Sequence, residues 1–437
     1  MSEFKKQLES EQKKLIGTNE NISYSDKKIY ERFTGQLSQY TNNSGGYPDA
    51  LGYDVKFLLE CRQKKLKSMG LEAAENTTPV PMSELSGRSY SGEKYTFKRL
   101  NKTFRRHIHL RDSHGKSFDK KENIYTDVNF LFSNPNSIND NDKLCCPSCG
   151  NISKLRQLEG GCEKCGKSSF ITELFPRITG FFYRKNNSIT VVSIAKTVFI
   201  CCIIGFFAGF PIGLFEFIKK VSMRFTKDTI SDSISAAFSA PISGIMAGVV
   251  FAVLVLLVGL IYDNVKNSKL NEKTNQAKKK ISEAVKQHEK SFCYENFEAK
   301  AISLLKLALY CNEDERPVNC RFDSHVRQFN IADSIYSGFT ELKKIHIEYS
   351  VCTVTLDVYM SDIYYDGKNF YTKDDIFTLT LSKRLSKKSD IGFEISNVTC
   401  PVCFEHFNAF RNKECGFCGS EFKPEEKDWT LTDLKLK

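Results

Sequence analysis

The run Ile345-His346-Ile347-Glu348-Tyr349-Ser350-Val351-Cys352-Thr353-Val354-Thr355-Leu356-Asp357-Val358-Tyr359-Met360 alternates in polarity twice over. Ile345, Ile347, Tyr349 and Val351 share one face of an extended chain, and Val354, Leu356, Val358 and Met360 share another. Phe377, Leu379 and Leu381 repeat the pattern, and Asp366-Gly367-Lys368 before them has the composition of a hairpin turn. Upstream the period is helical. Phe297, Ala301, Leu304, Leu305, Ala308 and Leu309 recur at three or four residues, so a helix buries one face there. A second helix is expected over Ser324 to Phe339, and Trp429 to Leu436 supplies a final strand. Helices followed by antiparallel strands define an α+β class, with the helices covering one face of a curved sheet.

Eight of the 16 cysteines form two near-copies of one device. Cys146 and Cys149 are followed by Cys162 and Cys165, and Cys400 and Cys403 by Cys415 and Cys418. Two CxxC pairs a dozen or so residues apart supply four thiolates to one tetrahedral ion, which predicts two structural Zn2+ sites. Glycine follows the second cysteine at Gly150, Gly166 and Gly419, where a metal knuckle favours positive φ, and Phe404 departs from that pattern. Disulfides or scattered buried thiols would leave this matched spacing unexplained, and a redox CxxC usually stands alone at a helix start.

The N-terminal half leads into its ribbon along a similar path. Helices with polar breaks are expected to about residue 70, including an amphipathic one over Tyr53 to Met69 with Val55, Leu58, Leu59 and Leu66 on one side. Asn76 to Gly92 has linker composition, and strand-like segments follow at Tyr95–Leu100, Arg105–Leu110 and Tyr125–Phe132. In both halves strands lead through a polar stretch into a ribbon, and a further strand follows. That order fits a degenerate internal repeat and equally two independent ribbons on unrelated folds.

Between the ribbons lie two uncharged stretches of membrane length, Thr197 to Phe215 and Ile234 to Tyr262. Gly205, Gly209 and Gly213 give the first a small-residue stripe. Ten basic residues flank the pair on the outside (Arg177, Arg184, Lys185, Lys196, Lys266, Lys269, Lys273, Lys278, Lys279, Lys280), against Lys219, Lys220, Arg224 and Lys227 in the connection. The expectation is a transmembrane hairpin in the inner (cytoplasmic) membrane with both termini cytoplasmic, where thiolates also stay reduced. Met1 to Leu15 has no apolar core that would make it a signal peptide. The expected organisation is an N-terminal α+β region over 1–142, a ribbon with its closing strand over 143–185, the hairpin over 197–262, a charged helical linker over 263–290 and a distal domain over 291–437.

The distal part resembles a known family. Its opening helix, its strand meander, the ribbon from Cys400 to Cys418 and the ending Lys427-Asp428-Trp429-Thr430-Leu431 are similar to the Tim-forty-four-like domain. That is the C-terminal domain of the membrane-tethered subunit of the mitochondrial protein-import motor, and the likeness is to bacterial members with a zinc ribbon before the last strand. The resemblance implies a cone-shaped fold like nuclear transport factor two, contact with membrane lipids and the tethering of a protein partner. It covers about a third of the chain, and the long N-terminal half has no counterpart in the plain domain.

Function is less legible. No HExxH, Walker, GxSxG or Rossmann glycine pattern occurs, so no catalytic or cofactor-binding residue is assigned and no enzyme is expected. Tyr349, Asp357, Tyr359 and Tyr364 are conceivable lining residues of a cone cavity. His107, His109 and His114 form the one histidine cluster, read as surface residues among Arg105, Arg106 and Arg111. The formal charge of +11 falls to about +7 once eight thiolates and two divalent ions are counted. Much of that excess flanks the apolar stretches, where anionic lipid attracts it. Nucleic acid is not an expected partner, because the second ribbon balances three basic residues with three acidic ones. The expectation is a membrane-anchored scaffold that binds lipid and a protein partner, with an apolar-ligand carrier or a nucleic-acid-binding regulator as alternatives.

Overall fold

The computed structural model describes residues 22–92, 94–134, 137–186, 264–320, 322, 330–386, 394–410 and 412–437, with isolated positions between 200 and 262. The chain divides into one unit of residues 1–186 and 273–437 and a second of 187–272. Both expected membrane stretches belong to the second unit and lie, apart from isolated positions, outside the described residues, as does Met1 to Leu15. Among the described residues no helix is long and apolar enough to cross a membrane.

The first unit is built on one nine-stranded sheet. Its N-terminal half contains helices α1 (Tyr24–Thr41) and α2 (Tyr53–Ser68) and strands β1 (Leu71–Pro79), β2 (Ser86–Ser91), β3 (Tyr95–Asp112), β4 (Ser117–Ser133) and β7 (Arg177–Lys185). Between β4 and β7 sits the first ribbon, with β5 (Lys143–Cys145), β6 (Ile152–Lys154) and short helices α3 (Leu155–Gly160) and α4 (Ile171–Leu174). The C-terminal half contains α5 (Tyr294–Tyr310), β8 (Ile331–Glu348), β9 (Val351–Tyr365), β10 (Phe370–Arg384) and β13 (Thr430–Leu436). The second ribbon, with β11 (Val398–Thr399) and β12 (His406–Phe407), interrupts it between β10 and β13.

Strand order is β1-β3-β4-β7-β8-β9-β10-β13, with β2 added alongside β3. Each half therefore presents a strand, an antiparallel hairpin, a ribbon and a last strand, in the same order. Each also sends a segment just after its first helix back to its last strand as a single parallel bridge, Leu51 to Ile178 in one half and Cys320 to Leu431 in the other. The halves meet where β7 runs parallel to β8, in register at Arg184 and Tyr336. The two ribbon-bearing parts thus share one sheet.

Local chemistry explains most boundaries. Ser23 and Asp26 close a capping box at the start of α1, with hydrogen bonds of 3.1 and 3.2 Å. The face of α2 predicted to be apolar is buried, including Val55, Leu58, Leu59 and Leu66. The quoted run 345–360 is the hinge of a β8–β9 hairpin. Tyr349 and Ser350, with φ of 47° and 67°, form its two-residue turn. Asp366 makes the next turn, its Oδ1 accepting from the N–H groups of Lys368 and Asn369 at 2.8 and 2.6 Å.

Several expectations are corrected. Ser324 to Phe339 is not a helix: its described part from residue 331 belongs to β8, while 324–329 lie outside the described residues. This end of β8 is buried on both faces, so the two-residue period that would mark a strand is missing. Asn76 to Gly92 contains the end of β1 and all of β2 rather than a linker. β1 reads as polar because it is an edge strand, and side chains following or within α1 cover that edge. Thr41 Oγ1 donates to the Glu75 carbonyl at 3.1 Å, Asn43 Nδ2 to the Ala73 carbonyl at 3.0 Å, and the Thr77 N–H donates to Ser38 Oγ at 3.2 Å. The three short strands expected before the first ribbon are two long ones, β3 and β4. Helices also lie on both faces of the N-terminal strands. Leu100, Val128 and Tyr183 pack with α1 and α2, while Arg99 on the opposite face reaches Glu298 of α5 at 2.6 Å.

Arg106, expected at the surface, is 0 % exposed. Its guanidinium lies 2.6 Å from Glu75 and 2.8 Å from Asp333, and Arg62 of α2 reaches the same carboxylates at 3.3 and 3.0 Å. Burial alone would raise both carboxyls. Arg106 and Arg62 outweigh it and hold Asp333 and Glu75 below the usual carboxylate range. Their contribution to stability is therefore present above about pH 4 and lost as pH falls through the depressed values. Cys61 of α2 and Cys311 just past α5 form a disulfide, with Cα atoms 5.1 Å apart.

Arg106→Met is expected to cost about 3–5 kcal/mol, because it leaves two buried carboxylates to share the single charge of Arg62, whereas Arg105→Met should stay within about 0.5 kcal/mol. Equal midpoints for the two variants in urea unfolding would contradict the burial of Arg106. Thiol titration of unfolded, metal-stripped, unreduced protein should find fourteen reactive groups among the 16 cysteines. Sixteen would show that Cys61 and Cys311 are unbonded.

Candidate metal centres

Each predicted cysteine set converges on a point. Within each set the four sulfurs lie within 4.8 Å of one another. In the first ribbon, Cys146 and Cys165 Sγ are 3.8 Å apart and Cys149 and Cys162 Sγ 3.6 Å. In the second, the pairs Cys400–Cys418 and Cys403–Cys415 are both 3.6 Å apart. Sulfurs about 2.3 Å from one tetrahedral ion sit roughly 3.8 Å from each other, so both sets fit a single first-row ion.

The backbone explains why the sulfurs converge. Each knuckle closes the same pair of hydrogen bonds: Gly150 N–H to the Cys146 carbonyl at 2.9 Å and Cys146 N–H to the Asn151 carbonyl at 2.7 Å in the first. Gly166 N–H to Cys162, Phe404 N–H to Cys400 and Gly419 N–H to Cys415 repeat it at 2.7, 3.0 and 2.8 Å. The residue after the second cysteine has positive φ in all four knuckles, 70° or 71° at the three glycines and 60° at Phe404. Ser420 Oγ stands 3.1 Å from both Cys400 and Cys418 Sγ, and the Val402 N–H points at Cys400 Sγ from 3.4 Å. Hydrogen bonds from the Cys403 N–H and Ser420 lower the Cys400 thiol to about 6, whereas burial and the neighbouring thiols push Cys149 and Cys403 up to about 12. Cys162 also drops, to about 7: burial raises it, but N–H groups of Cys165 and Lys164 and the neighbouring thiols outweigh that. With four sulfurs at each centre, no position remains for water or substrate.

The ribbons touch each other. Lys143 pairs with Glu405 at 2.8 Å, and Asn397 Nδ2 donates to the Lys143 carbonyl at 2.7 Å. Asn408 Nδ2 donates to the Gly150 carbonyl at 3.0 Å, and a Cβ on Gly150 would meet both Asn408 and Tyr53. Tyr53 and Phe57 of α2 pack on Phe410.

The other candidates do not form a site. Tyr349 is 88 % exposed at its turn. Asp357 is buried against Lys343 and Lys437 at 3.2 and 2.5 Å, Tyr359 donates to Glu341 at 3.3 Å, and Tyr364 donates to Asp375 at 2.5 Å. His107 and His109 are half-exposed and share Asp119 Oδ1 at 2.9 and 3.1 Å, while His114 sits in the β3–β4 turn with its N–H on Asp112. A cavity of about 50 Å³ between α2, α5 and β7, lined by Asp54, Lys300 and Asn319, had no signal in the sequence. Burial raises Asp54 to about 7 against the pull of Lys300, and both polar side-chain atoms of Asn319 lack a protein partner. Such a space suits a few waters.

Purified protein should carry two metal ions per chain, and Cys403→Ser should lose one of them, measured by elemental analysis of the folded protein. Ser420→Ala keeps all four sulfurs and should weaken the second site alone, roughly tenfold in a chelator competition. A metal content near zero would end this assignment. No family model, curated protein or solved structure matches the chain, and the assignment of these centres rests on their own geometry.

Proposed function

We propose that this protein is a membrane-anchored scaffold whose two centres hold structural zinc, and that it tethers a protein partner at the cytoplasmic face of the inner membrane rather than catalysing a reaction. The observation that carries this reading is the pair of closed four-sulfur centres, on two ribbons that touch each other and interrupt a single sheet. Thiolate-only coordination selects zinc among the common divalent ions, and a saturated site stabilises local structure instead of activating water. The interlocked ribbons give a rigid body, which suits a tether.

Anchoring rests on the uncharged stretches 197–215 and 234–262, each long enough to span a bilayer as a helix, with the excess of basic residues outside the pair. The order of helix, meander, ribbon and closing strand, with Trp429 packed 4.7 Å from Phe297, supports kinship of residues 291–437 with the Tim-forty-four-like domain. The Cys61–Cys311 bond is uncommon for a reducing compartment, so thiol titration bears on the placement of the termini as well as on the fold.

Expressed with its native sequence, the chain should float with membranes and resist extraction by alkaline carbonate, and a protease added to sealed inverted inner-membrane vesicles should remove both ribbon halves. Release by carbonate would sink the anchor, and protection of either half would reverse the topology.

A further inference from the structure

We propose that the tip of the second ribbon is a protein-docking surface: Val402, Phe404 and Phe417 insert into an apolar groove whose rim is basic. This gives the scaffold its contact site and depends on that proposal only for the existence of a partner.

The tip is apolar where nothing in the fold requires it. Val402, Phe404 and Phe417 are 64, 74 and 68 % exposed, and they come from the two knuckles that hold one ion. The first ribbon, on the same knuckle geometry, places Pro147 and Ser148, and Glu163 and Lys164, between its cysteines. It is an internal comparison showing that metal coordination needs no exposed aromatic ring.

Phe404 sharpens the point. It occupies the left-handed backbone position that the other three knuckles fill with Gly150, Gly166 and Gly419. A bulky side chain is disfavoured there, and this one is too exposed to recover the loss by packing. A locally strained residue that gives no packing in return is a mark of function. The knuckle backbone is bonded to its own carbonyls and sulfur, so the rings are presented on a fixed support.

Charge selects the kind of partner. Four thiolates around a divalent ion carry a net −2, and Cys418 is exposed. The exposed side chains near it balance, Glu414 and Glu421 against Lys413 and Lys423, so the charge of the centre itself sets the sign. An anionic lipid surface would repel this centre, whereas a groove edged with Lys or Arg would complement it.

The test is photocrosslinking in native membranes with p-benzoylphenylalanine at position 417 of the full chain. The expected result is a discrete protein adduct, mapped by mass spectrometry to apolar residues flanked by Lys or Arg, that weakens severalfold at raised salt. Phe404→Gly should abolish that adduct while keeping both ions and yielding the second one to a chelator more slowly, by about fivefold, because the strain is relieved. A merely structural Phe404 would give the opposite, faster metal loss in the glycine variant, and that result overturns the proposal. Adducts to lipid alone, or none, also overturn it. Fractionating the same sample separates the two proposals: chain outside the membrane fraction sinks the anchor and leaves the tip standing, while membrane-bound chain without an adduct sinks the tip.

Discussion

The guanidinium of Arg106 is the most deeply enclosed charge that links the two halves. It enters from β3, meets Glu75 of β1 in its own half and Asp333 of β8 in the other, and is wholly enclosed. Arg62 brings α2 to the same two carboxylates. The sheet itself joins the halves only weakly, since β7 and β8 run in register at one pair, Arg184 and Tyr336. A buried ion pair need not add net stability over apolar packing, yet it tolerates few alternative arrangements, because each displaced charge would be stranded in the interior. It ties Asp333 of β8 to Glu75 of β1 across the junction.

That junction also raises the question of why the sheet stops. Each half ends on a last strand, and β7 of the first accepts β8 of the second. By the same plan β13 and β1 are edges that would accept further strands. Both are covered. The Ser38, Thr41 and Asn43 side chains bond the outward backbone groups of β1, and the Leu431 N–H on β13 is bonded to the Asn319 carbonyl. Bonds of this kind occupy edge groups that would otherwise template a further strand.

What the sequence made legible follows from how local each signal was. The ribbons are written in spacing alone, since four cysteines fix a closed loop wherever it lies, and the knuckle glycines announce their own backbone angles. The α2 face and the 345–381 strands carry clean periods because one side of each meets solvent. Arg106 was legible: Phe104, Ile108 and Leu110 share its face on the inward side of β3, so period two places it in the core. The first part of β8, residues 331–340, was not legible, because burial on both faces erased its period. The contact between ribbons lay beyond reach as well, for it joins residues more than 250 apart through Asn408 and Gly150.

The position of the metal centres now has a physical account. In each half the chain must leave the hairpin and return, many residues later, as the strand that completes the sheet. Ordering a residue costs about 1–2 kcal/mol, and burying a leucine gains about 2 kcal/mol, so an excursion must bury nearly one large apolar side chain per residue to hold itself. The first ribbon buries only Leu144, Leu155, Leu158, Leu174 and Phe175 as its own large core residues. Four bonds from the cysteine sulfurs to one metal ion would supply the missing stabilisation and shorten the free loop at the same time. The second ribbon shares the main core through Phe407, Ala409, Phe410 and Phe422, and depends less on its ion for position. It is therefore the ribbon whose knuckles can face outward and carry strained, exposed aromatic residues, while Gly150 of the first is held inward against Tyr53 and Asn408.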